Sequence, residues 1–215
     1  MGFRIRTTPM KVAIVEDHAL TRDFVKKACM QQTDVEVVAE VGSGTEAITE
    51  IARTRPDVVV LDIGLPDIDG FEVLDRVRQM HLEPKVLVLS SSSPYLIIRI
   101  EHARVQGFLD KWDQTADSLN AAFAALKMNR TFFPDSYLEK RANIHRDPFS
   151  IDKLMTHQQI HVLSMVARLD SDEVIAERLN LSTRTVEAHR TRIMSKLDVH
   201  SRTELIRYAR ELGFF

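Results

Sequence analysis

The stretch VVVLDIGLPDIDG, residues 58–70, decides the fold of the first half of the chain. Its four leading apolar residues are followed by Asp62 and then by a segment rich in Gly, Pro and Asp. This pattern predicts a buried parallel strand that emerges into a loop. Asp62 then lies at the carboxyl end of a core strand, which is the edge of an open α/β sheet where ligands bind.

Outward from this stretch, apolar strand-like runs alternate with amphipathic segments of helical period. The predicted strands are residues 11–15, 35–39, 58–61, 86–89 and 107–109. The predicted helices are residues 20–30, 44–53, 70–80, 95–103 and 115–127. Strands that alternate with helices of this length imply βα units and a parallel sheet covered on both faces. We therefore predict an α/β fold with a five-stranded, doubly wound parallel sheet.

Residues 154–215 carry helical patterns joined by short segments. The predicted helices are about residues 156–168, 171–179, 182–197 and 201–211. The segments THQQ (156–159) and SRTE (201–204) fit the capping-box pattern, and Ser171 and Ser182 are further N-cap candidates. The short joint LNLS between the second and third of these helices indicates a helix-turn-helix. The second domain is thus predicted to be smaller and all-α, with four helices.

Between the two halves the periodicity breaks. The intervening segment contains Pro134 and Pro148 and charges of both signs. It predicts an interdomain linker with one helical turn near residues 136–141. The predicted organisation is a first domain at 10–128, a linker at 129–153 and a helix-turn-helix domain at 154–215.

Length and composition set outer limits on the class of protein. A chain of 215 residues suits two domains, and 44% hydrophobic with 28% charged residues is typical of a globular protein. The single cysteine, Cys29, fits a reducing compartment. No apolar run approaches the roughly 20 residues that span a bilayer, and the opening MGFRIRTTP lacks the apolar region of a signal peptide. We expect a cytoplasmic protein with no membrane partner.

Acidic side chains follow two of the predicted strands. Glu16 and Asp17 follow the first strand, as Asp62 follows the third, so all three carboxylates are expected at one edge of the sheet. Such a cluster is repulsive until a hard cation neutralises it, and oxygen-only ligation suits Mg²⁺. Asp62 could then attack a phosphoryl group, while Lys111 and Ser90, which follow the fifth and fourth strands, hold its oxygens. Singly, each residue is an ordinary cap or turn residue, but their joint placement favours a phosphoacceptor site.

The segments IVEDH, VVVLDIGLPDIDG, VLVLS and GFLDK resemble the markers of the flavodoxin-like receiver domain of bacterial two-component response regulators, over residues 10–128. The resemblance implies that Asp62 is the phosphoacceptor. It implies a Mg²⁺ site formed by Glu16, Asp17, Asp62 and the backbone carbonyl of Gly64. The switch hydroxyl, the switch aromatic and the phosphate-binding lysine that it implies are Ser90, Phe108 and Lys111. The chain departs from the family pattern at Arg104, where a glycine is often found.

A local basic stripe distinguishes the third predicted helix of the second domain. The whole chain carries a formal net charge of −2, yet residues 182–196 hold four basic side chains against one acidic side chain. Helical spacing turns Val186, Ile193 and Leu197 inward. The outward face mixes a base, an acid and small residues, a mixture that suits the reading of base edges in the major groove.

The segment IAERLNLSTRTVEAHRTRIMSKLDVHSRTELI is similar to the LuxR-type helix-turn-helix, most of all that of NarL/FixJ response regulators, over residues 154–212. By that resemblance the third helix enters the major groove of double-stranded DNA. The residues assigned to DNA contact are Arg184, Thr185, Glu187, Ala188, His189, Thr191, Arg192 and Lys196.

The DNA-binding half also departs from the family pattern. Leu169 stands where a glycine is usual, and Asp172 and Glu173 stand at a helix start that is customarily Asn-Lys. Two acids at a helix N-terminus favour the helix dipole but should repel a nearby DNA phosphate. Their replacement by Asn and Lys is therefore expected to tighten DNA binding.

The resulting hypothesis is a DNA-binding response regulator of a bacterial two-component system. A sensor histidine kinase phosphorylates Asp62 with the help of Mg²⁺, homodimer formation and promoter binding change, and transcription responds. The chain is not expected to be a turnover enzyme, beyond slow self-dephosphorylation.

Two alternatives stay open. DIDG, residues 67–70, resembles the start of haloacid-dehalogenase phosphatases, although that motif should directly follow its strand. In the other alternative DNA binding is constitutive and the receiver serves only as a dimerisation module.

Overall fold

The computed structural model describes residues 8–148 and 150–214, except for the side chain of Asp152. Residues 1–7, most of the segment in which the sequence predicts no signal peptide, lie outside the described part. The chain divides into two compact units. The first comprises Met1–Ser91 and Ala103–Asp135, and the second comprises Ser92–His102 and Ser136–Phe215.

The secondary structure follows the predicted alternation closely. The strands are β1 Met10–Val15, β2 Val35–Val41, β3 Val58–Leu61, β4 Lys85–Ser90 and β5 Gly107–Asp110. The helices are α1 Ala19–Met30, α2 Gly44–Thr54, α3 Gly70–Gln79, α4 Pro94–Ala103, α5 Ala116–Lys127, α6 Asp135–Arg146, α7 Ile151–Leu154, α8 His157–Ala167, α9 Asp172–Leu179, α10 Thr183–Leu197 and α11 Arg202–Glu211. The predicted strands and the predicted helices up to α5 begin and end within two residues of those observed.

The five strands form one parallel sheet in the order β2-β1-β3-β4-β5. Every residue of β3 is buried, because apolar side chains leave from both of its faces and require cover on both. β2 and β3 lie on opposite sides of β1, so the strand order reverses its direction at β1. This reversal opens a crevice at the carboxyl ends of β1 and β3, where ligands bind in such sheets. The predicted five-stranded doubly wound sheet is confirmed.

The second compact unit is helical and consists of α4 with the helices from α6 onward. Tyr95 and Ile98 of α4 belong to its hydrophobic core, and the Tyr95 ring stacks on Phe214 with centroids 3.7 Å apart. The other fully buried members of this core include Val162, Leu163, Val166, Ile175, Val186, Ile193, Leu205 and Ala209. Because of Tyr95 and Ile98, α4 groups with this unit although it lies inside the predicted first domain.

The predicted linker contains more helix than the sequence indicated. Instead of one turn near residues 136–141, α6 spans 12 residues, and the short α7 follows it. Tyr137 is the only residue of α6 that is buried. Polar contacts supplement that anchor, since Glu101 of α4 accepts from His145 at 3.0 Å and lies 3.7 Å from Arg141. A helix with a single buried residue has no apolar period, so sequence reasoning missed it.

The four helices of the helix-turn-helix domain, α8 to α11, match their predicted ranges. The predicted capping box at Thr156 and Gln159 is present in full. The Ser171 and Ser182 side chains accept from the backbone N–H groups of the third helical residue, as N-caps do. Ser201 caps α11 in the same way, but the predicted capping box there is only half formed, because the Glu204 carboxylate accepts from the His200 N–H. In the part of the chain that the structure describes, no helix combines the length and the apolarity needed to cross a membrane.

Candidate functional site

The acidic residues converge at the carboxyl edge of the sheet. Val15 of β1 pairs with Leu61 of β3, and the Asp62 N–H donates to the Val15 carbonyl at 2.8 Å. The residues that follow each strand therefore emerge side by side. One carboxylate oxygen from each of Glu16, Asp17 and Asp62 lies within 4.8 Å of the others. The structure brings the three predicted carboxylate ligands together.

Lys111 joins two of these carboxylates. Its Nζ lies 2.8 Å from Oε1 of Glu16 and 2.8 Å from Oδ2 of Asp62. The Glu16 and Asp62 side chains are only 1% and 4% exposed, whereas Asp17 is exposed. Burial raises the pKa of Glu16, and the hydrogen bond from Lys111 offsets this only in part. Burial also opposes the charge of Lys111, but its hydrogen bonds to Asp62 and Glu16 outweigh that effect and raise the pKa of Lys111.

The donor set fits a small, hard divalent cation. Both oxygens of the buried Glu16 carboxylate lie 2.8 Å from the Lys111 ammonium, although the contact with Oε2 lacks hydrogen-bond geometry. A cation that binds Glu16 would therefore share this carboxylate with the lysine. A Cβ added at Gly64 would lie 3.8 Å from both oxygens of the Asp62 carboxylate, and the Gly64 N–H donates to Oδ1 of Asp62 at 3.0 Å. The loop after β3 thus bends back over Asp62, with its main chain near the carboxylate. An all-oxygen site of this kind suits Mg²⁺ better than softer metals.

The predicted switch residues lie on the neighbouring strands. Ser90 is the last residue of β4, and its carbonyl accepts from the Lys111 N–H at 3.2 Å. Ser90 and Lys111 therefore stand at the same edge as Asp62. Phe108 lies inside β5 and is 1% exposed, so its ring is part of the packed interior.

The DIDG segment has a structural task. The Asp67 carboxylate accepts from the N–H groups of Gly44 and Thr45 at 2.7 and 2.8 Å and from the Thr45 hydroxyl at 2.6 Å. Asp69 caps α3 by accepting from the Phe71 N–H at 2.7 Å. Both carboxylates hold helix N-termini, which weakens the phosphatase alternative based on this motif.

One contact of the acidic edge was missed by sequence reasoning. The guanidinium of Arg22, on α1, donates to the backbone carbonyls of Glu16 and Asp17. A single arginine on an amphipathic helix carries no sequence signal for such a contact, because its partners are main-chain atoms.

The exposed face of α10 matches its prediction. Val186 and Ile193 are fully buried and Leu197 is half-buried. The predicted contact residues that are exposed are Arg184, Glu187, Ala188, Thr191, Arg192 and Lys196, and those that are half-buried are Thr185 and His189. Lys196 differs from the rest, since its ammonium donates to the Leu154 carbonyl at 2.7 Å and to Oε1 of Gln159 at 3.0 Å. Its charge is therefore engaged within the domain.

Asp172 is not the free anion that the sequence argument assumed. Its carboxylate forms ion pairs with Arg190 of α10 and, at 3.1 Å, with Arg202 of α11. Arg202 also donates to the Asp170 carbonyl. The premise of repulsion from DNA phosphate fails for Asp172, which ties the first turn of α9 to two other helices. Repulsion between a DNA phosphate and Glu173 stays a prediction.

The two departures from glycine fall on left-handed backbone. Arg104 has φ 51° and Leu169 has φ 70°. In this region glycine has no Cβ to clash, whereas other L-residues are strained by roughly 1–2 kcal/mol. The usual glycines at both positions are thus explained by local backbone geometry.

Comparison with protein families assigns both halves. Residues 12–123 match the response regulator receiver domain. Residues 153–209 match the bacterial regulatory proteins of the luxR family. The chain belongs to the response regulators. Like others of the NarL/FixJ type, this response regulator combines a receiver with a LuxR-type helix-turn-helix, as its sequence predicted, and it regulates transcription.

Relatives match this response regulator over nearly their whole length. It is 32% identical to the transcription regulator of virulence factors BvgA of Bordetella pertussis, over 93% of this chain and 96% of BvgA. It is 34% identical to the Fimbriae Z protein of Salmonella typhimurium, over 94% and 97% of the two chains. Identity to the response regulator protein VraR of Staphylococcus aureus is 29%, over 93% and 96%.

Solved structures share the fold. RcsB of Salmonella enterica serovar Typhimurium, bound to the promoter rprA with the phosphomimetic BeF₃⁻, superposes with a TM-score of 0.76 at 24% identity, over 94% of this chain and 99% of RcsB. The response regulator ChrA of a heme-sensing two-component system gives a TM-score of 0.54 at 26% identity, over 97% and 100%.

Proposed function

We propose that this response regulator accepts a phosphoryl group on Asp62 from a sensor histidine kinase, with Mg²⁺ as cofactor, and that phosphorylation controls its binding to promoter DNA. The observation that carries the proposal is the convergence of Glu16, Asp17 and Asp62 within 4.8 Å, with Lys111 paired to Asp62. Three carboxylates and one lysine at a topological switch point are the groups that acyl-phosphate formation needs.

The chemistry follows from the positions of these groups. An oxygen of the Asp62 carboxylate forms a bond to phosphorus as the bond to the leaving nitrogen of a phosphohistidine breaks. The electron pair of the broken bond stays on that nitrogen, which takes up a proton from water. The Lys111 ammonium, held near Asp62, stabilises the negative charge of the phosphoryl oxygens, and the Ser90 hydroxyl at the same edge donates to them. Glu16 and Asp17, with the Asp62 carboxylate and the Gly64 carbonyl, would hold Mg²⁺. When bound, the ion screens the repulsion between the attacking carboxylate and the phosphate.

We propose that the chain is a phosphoryl acceptor and not a turnover enzyme. The carboxylates of Asp67 and Asp69, which a phosphatase of the DIDG type would need free, already accept from backbone N–H groups. The acyl phosphate on Asp62 would be lost only by slow hydrolysis.

The proposed output is recognition of double-stranded DNA by α10. Its exposed face carries Arg184, Glu187, Thr191 and Arg192 together, a set that can contact both base edges and phosphates. The RcsB structure at a TM-score of 0.76 is bound to a promoter, and another contains two RcsB dimers bound to two parallel DNAs. By analogy we infer a homodimer on DNA after phosphorylation. A DNA-binding task also supports a cytoplasmic location.

The test is DNA affinity and oligomeric state with and without beryllofluoride and Mg²⁺, an acyl-phosphate mimic. Adding beryllofluoride and Mg²⁺ should change the DNA affinity and the oligomeric state of the wild type and of the surface control Asp117→Asn. It should change neither property of Asp62→Asn. DNA affinity that is indifferent to the mimic would instead support constitutive binding. Steady turnover of a generic phosphate ester would support the phosphatase alternative.

A further inference from the structure

Arg22 is a cationic side chain whose hydrogen bonds go to the main chain of the acidic edge. It lies in the first half of α1, and its Nη1 donates to the Glu16 carbonyl at 2.6 Å and to the Asp17 carbonyl at 3.3 Å. Arg22 forms no ion pair with any residue in the described ranges 8–148 and 150–214. Its guanidinium therefore fixes the loop between β1 and α1 by donating hydrogen bonds to two successive carbonyls.

The main chain at Gly42 packs against this guanidinium. Gly42 follows β2, and a Cβ built on it would lie 3.4 Å from Nη1 of Arg22 and 3.9 Å from the Glu16 carbonyl oxygen. The end of β2 is bound to the same loop, because the Glu16 N–H donates to the Val41 carbonyl at 3.0 Å. Arg22 thus closes a small packed corner formed by β1, β2 and α1.

Asp17 is the acidic residue that most needs this support. Glu16 is buried, and its carboxylate is fixed by the His18 N–H at 3.0 Å and by Lys111. Asp17 is exposed, and mutual repulsion with Glu16 and Asp62 favours turning it toward solvent. Because Arg22 holds the carbonyls of the two peptide units that flank the Asp17 Cα, it restricts rotation of the Asp17 backbone.

We propose that Arg22 is a positioning residue of the phosphoacceptor site, which orients the Glu16–Asp17 backbone so that the Asp17 carboxylate faces Asp62 and Mg²⁺. The inference rests on the proposed function, because it concerns the same site. Residues that orient metal ligands from outside the ligand shell typically change metal affinity 10- to 100-fold when they are replaced.

The charge of Arg22 and its hydrogen bonds have opposite effects on Mg²⁺ affinity, and this makes the proposal testable by sign. A guanidinium near the site repels a divalent cation, so its removal by charge alone should tighten Mg²⁺ binding. Loss of positioning should weaken Mg²⁺ binding. The expected result for Arg22→Ala is weaker binding, by about tenfold.

The experiment titrates full-length protein with Mg²⁺ and follows the fluorescence of Trp112. This is the only tryptophan of the chain, it is 85% exposed, and it lies next to Lys111. Arg22→Ala is compared with Arg22→Gln, which keeps two N–H donors without the charge, and with Arg22→Lys, which keeps the charge and N–H donors but loses the guanidinium. Arg76→Ala, which removes a surface arginine paired with Glu72, is the matched control. Calorimetric titration replaces fluorescence if Trp112 gives no signal.

The proposal predicts weaker Mg²⁺ binding in Arg22→Ala, partial recovery in Arg22→Gln and no change in Arg76→Ala. It also predicts that saturating Mg²⁺ restores the rate of phosphorylation by acetyl phosphate in Arg22→Ala. If Arg22→Ala does not fold, Arg22→Gln decides: Mg²⁺ binding weaker than in the wild type supports positioning, whereas tighter binding, which loss of the charge alone predicts, would overturn it.

Mg²⁺ affinity that is unchanged or tighter in Arg22→Ala, beside a wild type that binds Mg²⁺, would overturn the role of Arg22 and leave the proposed function intact. A wild type that neither binds Mg²⁺ nor accepts a phosphoryl group would overturn the proposed function itself.

Discussion

The Lys111 ammonium lies 2.8 Å from Oδ2 of Asp62, across the carboxyl edge of the sheet. In this arrangement the lysine neutralises the carboxylate that is proposed to accept the phosphoryl group. The same ammonium lies 2.8 Å from Glu16, so it also compensates one of the proposed metal ligands. Lysine and Mg²⁺ therefore act on the same two carboxylates.

Lys111→Ala should tighten Mg²⁺ binding, by roughly tenfold, because the metal no longer shares its carboxylates with an ammonium. The measurement is a Mg²⁺ titration followed by Trp112 fluorescence. Lys26→Ala, which removes a surface lysine paired with Glu40, should leave the affinity as it is. Weaker Mg²⁺ binding in Lys111→Ala would mean that the lysine organises the carboxylates more than it competes with the metal.

Asp67→Asn should lower the stability of the receiver by about 1 kcal/mol at pH 7, since a neutral amide caps the α2 N-terminus less well. Partial burial opposes ionisation of Asp67, but hydrogen bonds from Thr45 and Gly44 outweigh it and hold the pKa of Asp67 below its ordinary value. A carboxylate whose pKa is lower in the folded than in the unfolded state stabilises the folded protein. This contribution is complete above the unfolded pKa, about 3.9, and is lost as the pH falls through the folded pKa.

The Tm difference between the wild type and Asp67→Asn should therefore be largest near neutral pH and shrink below about pH 4. Thermal unfolding over a pH series measures it. A difference that is constant from neutral to acid pH would show that the charge of Asp67 does not matter.

Leu169→Gly should stabilise the protein, although it removes a leucine side chain. Leu169 has φ 70° and is 61% exposed, so glycine relieves strain and loses little burial. The strain of roughly 1–2 kcal/mol exceeds the entropic cost of glycine, so the net gain should be about 0.5–1 kcal/mol. Leu20→Gly is the control, because Leu20 is 76% exposed in α1 and its replacement should destabilise. A lower Tm for Leu169→Gly would contradict the strain argument.

Asp172→Asn should destabilise the DNA-binding domain by about 2 kcal/mol, because it leaves Arg190 and Arg202 without their shared carboxylate. Urea unfolding followed by circular dichroism measures the loss. Tighter DNA binding and unchanged stability in Asp172→Asn would show that the ion pairs contribute nothing.

Glu173→Lys, at the neighbouring exposed position, should instead tighten DNA binding and make it more dependent on salt.

The sequence sufficed for features that depend on period and on strand ends. Buried runs such as residues 58–61 have few alternatives to a parallel strand, and the sheet topology then brings Glu16 and Asp62 together. Helix α6 escaped prediction because Tyr137 is its only buried residue, which leaves no apolar period. The role of Arg22 escaped because its partners are main-chain carbonyls, which carry no side-chain signal. The role of Asp172 escaped because it depends on which helices lie beside α9. No local pattern encodes those neighbours.

Asp62 is proposed to accept a phosphoryl group at a site organised by Mg²⁺. The most direct measurement is the intact mass of the protein after incubation with acetyl phosphate, with and without Mg²⁺, for the wild type and for Asp62→Asn. We expect the added mass of one phosphoryl group, in the wild type only and only with Mg²⁺. An equal mass shift in Asp62→Asn, or no shift in the wild type with Mg²⁺ present, would contradict it.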